Sequence, residues 1–325
     1  MNTTDKVLAI LAREKEYISG EEISRLIGLS RASVNAAVKA LRKDGYEISS
    51  VTNKGYRLIN SPDRLSHGSV GAWLEDSRMD SVLVLDSTDS TNKVLREMAF
   101  GGAPDGQVVI SDEQTTGRGR MGRSFFSPKG KGIYFSYLIR PDMVPADAIS
   151  LTAWTAVAVV RAIISVSGYT PGIKWVNDLV SDGRKLCGIL TEMSIESETG
   201  RIDSIIIGIG INVNNDLSEF PDDIKDIATS LRAVSGKAVP RAELAAAMVR
   251  ELDRMRAAWP DDKAEYLEAY RASNITCGRR INVISGGTVR EAESIMINDD
   301  FSLRIRYDDG TEDDLSSGEV SLRFK

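Results

Sequence analysis

At 325 residues, 42% hydrophobic and 27% charged, the chain has room for two or three ordinary globular domains. It carries 41 Lys/Arg against 47 Asp/Glu, for a net charge of −6, with one histidine and two distant cysteines, Cys187 and Cys277. This inventory nearly excludes a histidine-based triad and a histidine-rich metal site, and it argues against a structural disulfide; the cysteines read as buried thiols of a reducing cytoplasm.

Met1 to Asp5 is polar and an amphipathic segment follows, so no signal peptide is expected. Residues 4–12 carry Val7, Leu8, Ile10 and Leu11 at helical spacing. Ser19-Gly-Glu-Glu22 reads as a capping box opening a second helix that Gly28 ends. Ser30 can cap a third, running to about Asp44, with Gly45 as its stop. On that third helix Val34, Val38 and Leu41 share one face, and Arg31, Asn35, Lys39 and Arg42 the opposite one. Ile48–Val51 and Gly55–Leu58 then predict a hairpin turning at Thr52-Asn53-Lys54. Three helices and a β-wing over 1–60 make a winged helix-turn-helix. Its third helix is expected in the DNA major groove, with Lys54 and Arg57 of the wing on phosphate. Ten Lys/Arg against seven Asp/Glu give this head +3, leaving −9 for the rest, which fits local nucleic-acid contact. A helical module serving protein contacts is the alternative.

Residues 61–80, with Pro62 and several Ser and Gly, read as a linker, and His67 in it as a surface residue. From Val82 β-rich and helical runs alternate. Strands are expected at 82–85, 107–111, 133–138, 173–176, 186–194 and 205–211, and helices at 91–99, 151–167 and 241–259. The mixture predicts an α/β sheet with helices packed over it. The most apolar run, Leu151–Val166, contains Arg161 and is too short to span a bilayer, so it reads as a core helix, with no membrane role.

Within this region Gln114-Thr-Thr-Gly-Arg-Gly-Arg-Met-Gly-Arg123 alternates Arg118, Arg120 and Arg123 with Gly117, Gly119 and Gly122. Glycine lets backbone approach a ligand, and arginine supplies a planar fork for phosphate or carboxylate. Such a loop is expected to be mobile when empty and ordered around an anion; alone, it reads as well as a solvated or nucleic-acid-binding arm. Gly208-Ile-Gly-Ile is not a dinucleotide fingerprint, because the third glycine is missing and no helix start follows. It reads as a strand that lets ligand pass close to its backbone. From about Cys277 the pattern is purely β, with strands at 279–284, 289–297, 301–307 and 320–324 and turns at Asn298-Asp-Asp and Asp308-Asp-Gly310. It predicts a small C-terminal barrel.

Five ordered motifs, Asp86-Ser-Thr-Asp-Ser-Thr-Asn92, the Gly/Arg run, Lys174-Trp-Val-Asn-Asp178, Lys185-Leu-Cys-Gly-Ile-Leu-Thr-Glu192 and Gly208-Ile-Gly-Ile-Asn212, closely resemble the biotin–protein ligases. With the winged head, the chain is most similar to the bifunctional biotin ligase and biotin-operon repressor family, from roughly residue 1 to the C-terminus. Val176 stands where that family usually has proline, a change of loop stiffness and not of a reacting group.

The resemblance implies a winged helix-turn-helix at 1–60, a linker at 61–80, a mixed-sheet biotin/lipoate-ligase-like catalytic domain at 81–275, and an SH3-like β-barrel at 276–325. It implies a cytoplasmic enzyme that makes biotinyl-5'-AMP from biotin and ATP with Mg²⁺. The biotinyl group then passes to a lysine of a biotin carboxyl carrier protein. Biotin contacts are carried onto Ser90, Thr91, Asn92, Gln114, Arg118, Gly119, Arg120, Lys185 and Gly188. Lys185, Arg118 and Arg120 are the expected catalytic groups. Arg118, Arg120, Arg123, Trp175, Asn177, Asp178 and Asn212 are expected toward ATP and the adenylate, with no resident metal. Operator DNA and an adenylate-bound homodimer are the further expectations. On physics alone Ser90 or Thr91 reads as a helix N-cap, and Asp178 equally as a structural carboxylate. A ligand-sensing repressor without transferase activity is an alternative, but it has no use for Lys185 and the whole arginine loop. A lipoate ligase is another; its glycine-rich loop carries a histidine, and the only histidine here is His67.

Overall fold

The computed structural model describes residues 2–285, 288–316 and 319–322. The head is α1 (Thr3–Arg13), α2 (Gly20–Ile27), α3 (Arg31–Lys43) and the hairpin β1 (Glu47–Val51) with β2 (Gly55–Asn60). Ser19 accepts from Glu22 N and so caps α2, but the Glu22 carboxylate turns to Arg25 instead of completing the box. Ser30 caps α3 through Ser33 N. Val7, Leu8, Leu11, Ile23, Val34, Val38 and Leu41 form a core of the head's own.

The segment expected to be a linker is folded. It forms α4 (His67–Gly71) and α5 (Asp76–Met79), and Leu65, Val70, Leu74 and Met79 are buried in the core of the body. Arg78 forks onto Asp253 at 2.6 and 2.9 Å, and Asp63 pairs with the fully buried Arg241 at 2.9 Å. The head docks on this segment. Asp5 Oδ1 accepts from Gly68 N at 3.1 Å, and a Cβ on Gly68 would lie 2.8 Å from the Asp5 backbone, so only glycine fits. Arg13 Nη2 donates to the carbonyls of Gly71 and Leu74, each at 2.6 Å. His67 is half-buried with a buried, unpartnered Nδ1, not a surface residue.

The body follows as β3 (Val82–Leu85), α6 (Thr91–Phe100), β4 (Val108–Ser111), β5 (Gly132–Ile139), α7 (Leu151–Ser167), β6 (Gly172–Lys174), β7 (Asp178–Ser181), β8 (Arg184–Ile195), β9 (Ile202–Asn212), α8 (Leu231–Ser235), α9 (Arg241–Ala258) and α10 (Lys263–Ser273). Its seven strands run in the order β3-β4-β5-β9-β8-β7-β6, parallel only at β3–β4. β5 is buried along all eight residues because helices cover both faces. Leu95 and Ala99 of α6 meet Val109, Leu138 and Ile206 on one side. On the other, α7 packs against α9 and the sheet. Twelve of the seventeen α7 residues are buried, so the apolar run forms a core helix as expected, even though Pro145–Ser167 is long and apolar enough to cross a membrane. Residues 176–181 depart from expectation: the strand predicted to reach Val176 stops at Lys174, and β7 begins at Asp178.

The tail is β10 (Arg280–Ser285), β11 (Thr288–Ile297), β12 (Leu303–Tyr307), β13 (Glu312–Leu315) and β14 (Glu319–Leu322), antiparallel in the order β13-β12-β11-β10-β14. The small C-terminal all-β unit is thus present as expected, an antiparallel sheet with β14 returning beside β10. Phe324, placed in the last expected strand, lies outside the described residues. Cys187 is buried, and burial pushes its thiol pKa up; Cys277 is only half-buried.

Candidate active site and nucleic-acid face

Three glycines make the floor of the site. Gly188 and Gly210 are directly paired between β8 and β9, and Gly208 lies two residues along on the same face. A Cβ on Gly210 would fall 2.6 Å from Phe125, one on Gly188 2.9 Å from Lys185 Cε, and one on Gly208 2.4 Å from Asn92 Oδ1. The bare backbone therefore forms a trench with Lys185 at one end, Phe125 in the middle and Asn92 at the other. Above it lies a cavity of about 770 Å³, within the size range of small-molecule sites.

The Asn92 end is built where two loops zip together. Thr115 N and Thr116 N donate to the carbonyls of Thr88 and Asp89, which brings Gln114 beside the start of α6. Gln114 Oε1 accepts from Thr91 N at 2.9 Å, with Thr91 Oγ1 3.1 Å away. Ser90 is the N-cap residue, but its side chain makes no capping bond; Gln114 does that work from another loop, and Ser90 lines the cavity. Asn92 donates to Glu192 at 2.6 Å and accepts from Ser136 Oγ at 2.6 Å. Ser136, Arg96 and Phe125 belong to this region and carry no recognisable sequence motif, whereas Glu192 ends the Lys185–Glu192 motif.

At the other end Lys185 Nζ pairs with Asp178 Oδ1 at 2.7 Å, so Asp178 lies in the site wall. That oxygen has no hydrogen-bond donor of good geometry besides the ion pair. Arg120 Nη1 donates to Asn177 Oδ1 at 3.0 Å, and Asn177 Nδ2 donates to Ile189 O at 3.0 Å. The loop thus reaches across the trench. Trp175 lines the cavity but is buried, and its indole N–H is committed to Phe301 O at 3.0 Å in the tail. It can offer a ligand ring surface and no hydrogen bond. Asn212 closes β9, buried at the cavity edge.

The arginine loop has a defined path: Gly119 N donates to Arg123 O and Phe125 N to Gly117 O. Gly117 is required there, since a Cβ would sit 2.5 Å from both Phe125 O and Ser127 Oγ. Arg118 and Arg123 are exposed at the rim, and Arg120 is half-buried. Among the described residues no three His, Cys, Asp or Glu gather as a metal cage. Of the carboxylates that line the cavity, Asp178 lies beside Lys185 and would suit a magnesium ion carried mainly by nucleotide phosphates.

On the head, Arg31, Asn35, Lys39 and Lys54 are exposed on the expected face. Two others are engaged within the protein. Arg42 donates to Ile48 O at 2.6 Å and to Ser50 Oγ, tying α3 to the wing, and Arg57 stacks on the Tyr17 ring at 4.8 Å. Both contacts tie the wing to the rest of the head, and Arg42 stays exposed.

The fold and the site together define a ligase-type body with a DNA-binding head. Residues 84–212 match the biotin/lipoate A/B protein ligase family, and residues 3–57 match a helix-turn-helix domain. The bifunctional ligase/repressor BirA of Bacillus subtilis is 45% identical over 70% of each chain. That of Escherichia coli is 31% identical over 98% of this chain and 96% of its own. Among solved structures, the Aquifex aeolicus biotin protein ligase in complex with biotin and ATP is 27% identical, with a TM-score of 0.65 over 75% of this chain and 99% of that one. The chain belongs to the bifunctional biotin ligase/repressor family.

Proposed function

We propose that the glycine-floored cavity joins biotin to ATP. Biotin's carboxylate attacks the α-phosphorus and pyrophosphate leaves. The resulting biotinyl-5'-AMP then gives its acyl group to a lysine amine of a biotin carboxyl carrier protein, expelling AMP. The observation that carries this reading is the placement of Lys185 and Arg120 at one end of the trench and uncharged hydrogen-bonding groups at the other. The first half-reaction brings two anions together, so fixed positive charge is its main electrostatic need. Ser90, Thr91, Asn92 and Gln114 suit a neutral ureido ring, which offers two N–H donors and one carbonyl. Gly188 leaves room for the biotin tail, with Gly119 giving backbone access at the rim. Lys185 meets the carboxylate and α-phosphate, Arg118 and Arg120 clamp the adenylate, and Arg123 faces the departing pyrophosphate. Trp175, Asn177, Asp178 and Asn212 form the nucleotide side. Asp178 would help hold a magnesium ion brought by the phosphates, and that ion would supply charge neutralisation.

The same chain acts as a repressor. Its winged head contacts operator DNA through Arg31, Asn35, Lys39 and Lys54, as a homodimer favoured by biotinyl-5'-AMP, in the cytoplasm. The test is incubation with ATP, Mg²⁺, biotin and a biotin-carrier domain, followed by intact mass measurement. One biotinyl group should be added to the carrier, and lipoate in place of biotin should add nothing. An unmodified carrier with tight biotin binding would leave a sensor without transferase activity.

A further inference from the structure

We propose that Glu192 is a positioning residue: it fixes the Asn92 amide, and through it the order of donors and acceptors that the wall around Thr91 offers to biotin. This rests on the reading of Thr91 and Asn92 as biotin contacts. Asn92 is buried, and Ser136 beneath it is fully buried. A carboxylate only accepts, so Glu192 Oε2 at 2.6 Å compels Asn92 to present its NH₂ there and its carbonyl oxygen to Ser136 Oγ. Turning the amide over would press two acceptors together with no proton between them. The Glu192 carboxylate is itself held, because Oε1 accepts from Arg96 Nη2 at 2.7 Å.

The consequence passes along a chain. Ser136 spends its one hydroxyl proton on Asn92 Oδ1, so at 2.8 Å it accepts from Thr91 Oγ1. That turns the Thr91 proton away from Gln114 Oε1, which Thr91 N holds at 2.9 Å, and the polarity set at Glu192 thus fixes the Thr91 hydroxyl of the wall. Asn92 cannot escape by shifting down, because it already fills the space over Gly208. A wall of fixed polarity distinguishes a ureido ring from an isostere with the wrong donors far better than shape alone does.

Glu192→Gln keeps the shape and removes the compulsion, because a glutamine amide can donate to Asn92 or accept from it. The expected result is a rise of roughly ten-fold or more in KM for biotin, with KM for ATP changed by no more than about two-fold. Thermal melting of the variant should match wild type. Ser136→Ala, which cuts the next link, should raise KM for biotin in the same selective way and serves if the first variant folds poorly. Biotin KM unchanged in both variants, or KM for biotin and ATP rising together, would overturn the inference. If wild-type protein run alongside makes no adenylate at all, it is the ligase reading that fails instead.

Discussion

Lys185 is paired with Asp178 at 2.7 Å while also lying over Gly188, so its charge is held at the floor of the trench. Replacing it by alanine removes the cation and leaves the Asp178 carboxylate facing the incoming phosphates. Adenylate synthesis should fall by about 100- to 1,000-fold, the usual cost of losing one preorganised donor. Biotin affinity by calorimetry should change little, because the ureido end lies at the far end of the trench. Pyrophosphate release within a few-fold of wild type would remove Lys185 from this role. Arg120 is held differently, by one bond to Asn177. Arg120→Gly should loosen the adenylate more than its synthesis, so that unrelated proteins added to the reaction become labelled on exposed lysines. Unlabelled bystanders beside a labelled carrier would count against the clamp. The residues named here were legible because charge and glycine stand out in sequence. Ser136 and Phe125 were not: their place depends on the pairing register of β5 and β9 and on how the loop folds back, and Glu192, although it ends a recognised motif, meets Asn92 only through the same packing.

At the scale of elements, burial and capping made most helices readable, and α7 matches its expected range of 151–167. Strands whose side chains lack alternation were missed. β13, Glu312–Leu315, is largely exposed and is paired through Arg304 to Asp314 and Arg306 to Glu312, so ladder and ion pairs define it, with little apolar burial. α10 was overlooked although Tyr266, Leu267 and Tyr270 bury one face. In the head, sequence placed Arg42 on the DNA face, but its guanidinium grips Ile48 O and Ser50 Oγ on the wing. Arg42→Ala and Lys39→Ala should therefore behave differently. Lys39→Ala should weaken operator binding and lower the slope of log affinity against log salt by about 1, as expected for a lost phosphate contact. Arg42→Ala should lower the melting temperature and weaken binding with that slope nearly unchanged. A salt slope that drops equally in both variants would return Arg42 to the phosphate face.

Across the whole molecule the 61–80 segment matters most, because its composition says linker while its packing says spacer locked at both ends. Ser, Gly and Pro hide the spaced Leu65, Val70, Leu74 and Met79 that enter the core. A chain starting at Pro62 keeps those contacts and the Asp63–Arg241 pair, so it should still biotinylate the carrier. It should be less stable than the full chain, because it loses the bonds that Asp5 and Arg13 make to α4 and its neighbours. It should also lose DNA binding with the Arg31, Asn35, Lys39 and Lys54 face. In the intact protein one winged module makes few phosphate contacts, and tight binding calls for two modules on a two-fold symmetric site. Biotinyl-5'-AMP can promote that pairing only by binding the dimer-competent form better than the other. Arg118 to Met121 line the glycine-floored cavity, and the head sits on a segment tied to the same body through Asp63, whose partner Arg241 also donates to Gly132 O beside Asn212. A coupling of about 1–3 kcal/mol would tighten assembly on DNA by roughly 5- to 150-fold. Operator affinity should be measured across a protein titration at one fixed salt concentration, with and without biotin plus ATP. Equal affinity in the two series, or DNA binding that persists in the chain starting at Pro62, would refute the coupling of ligation to repression.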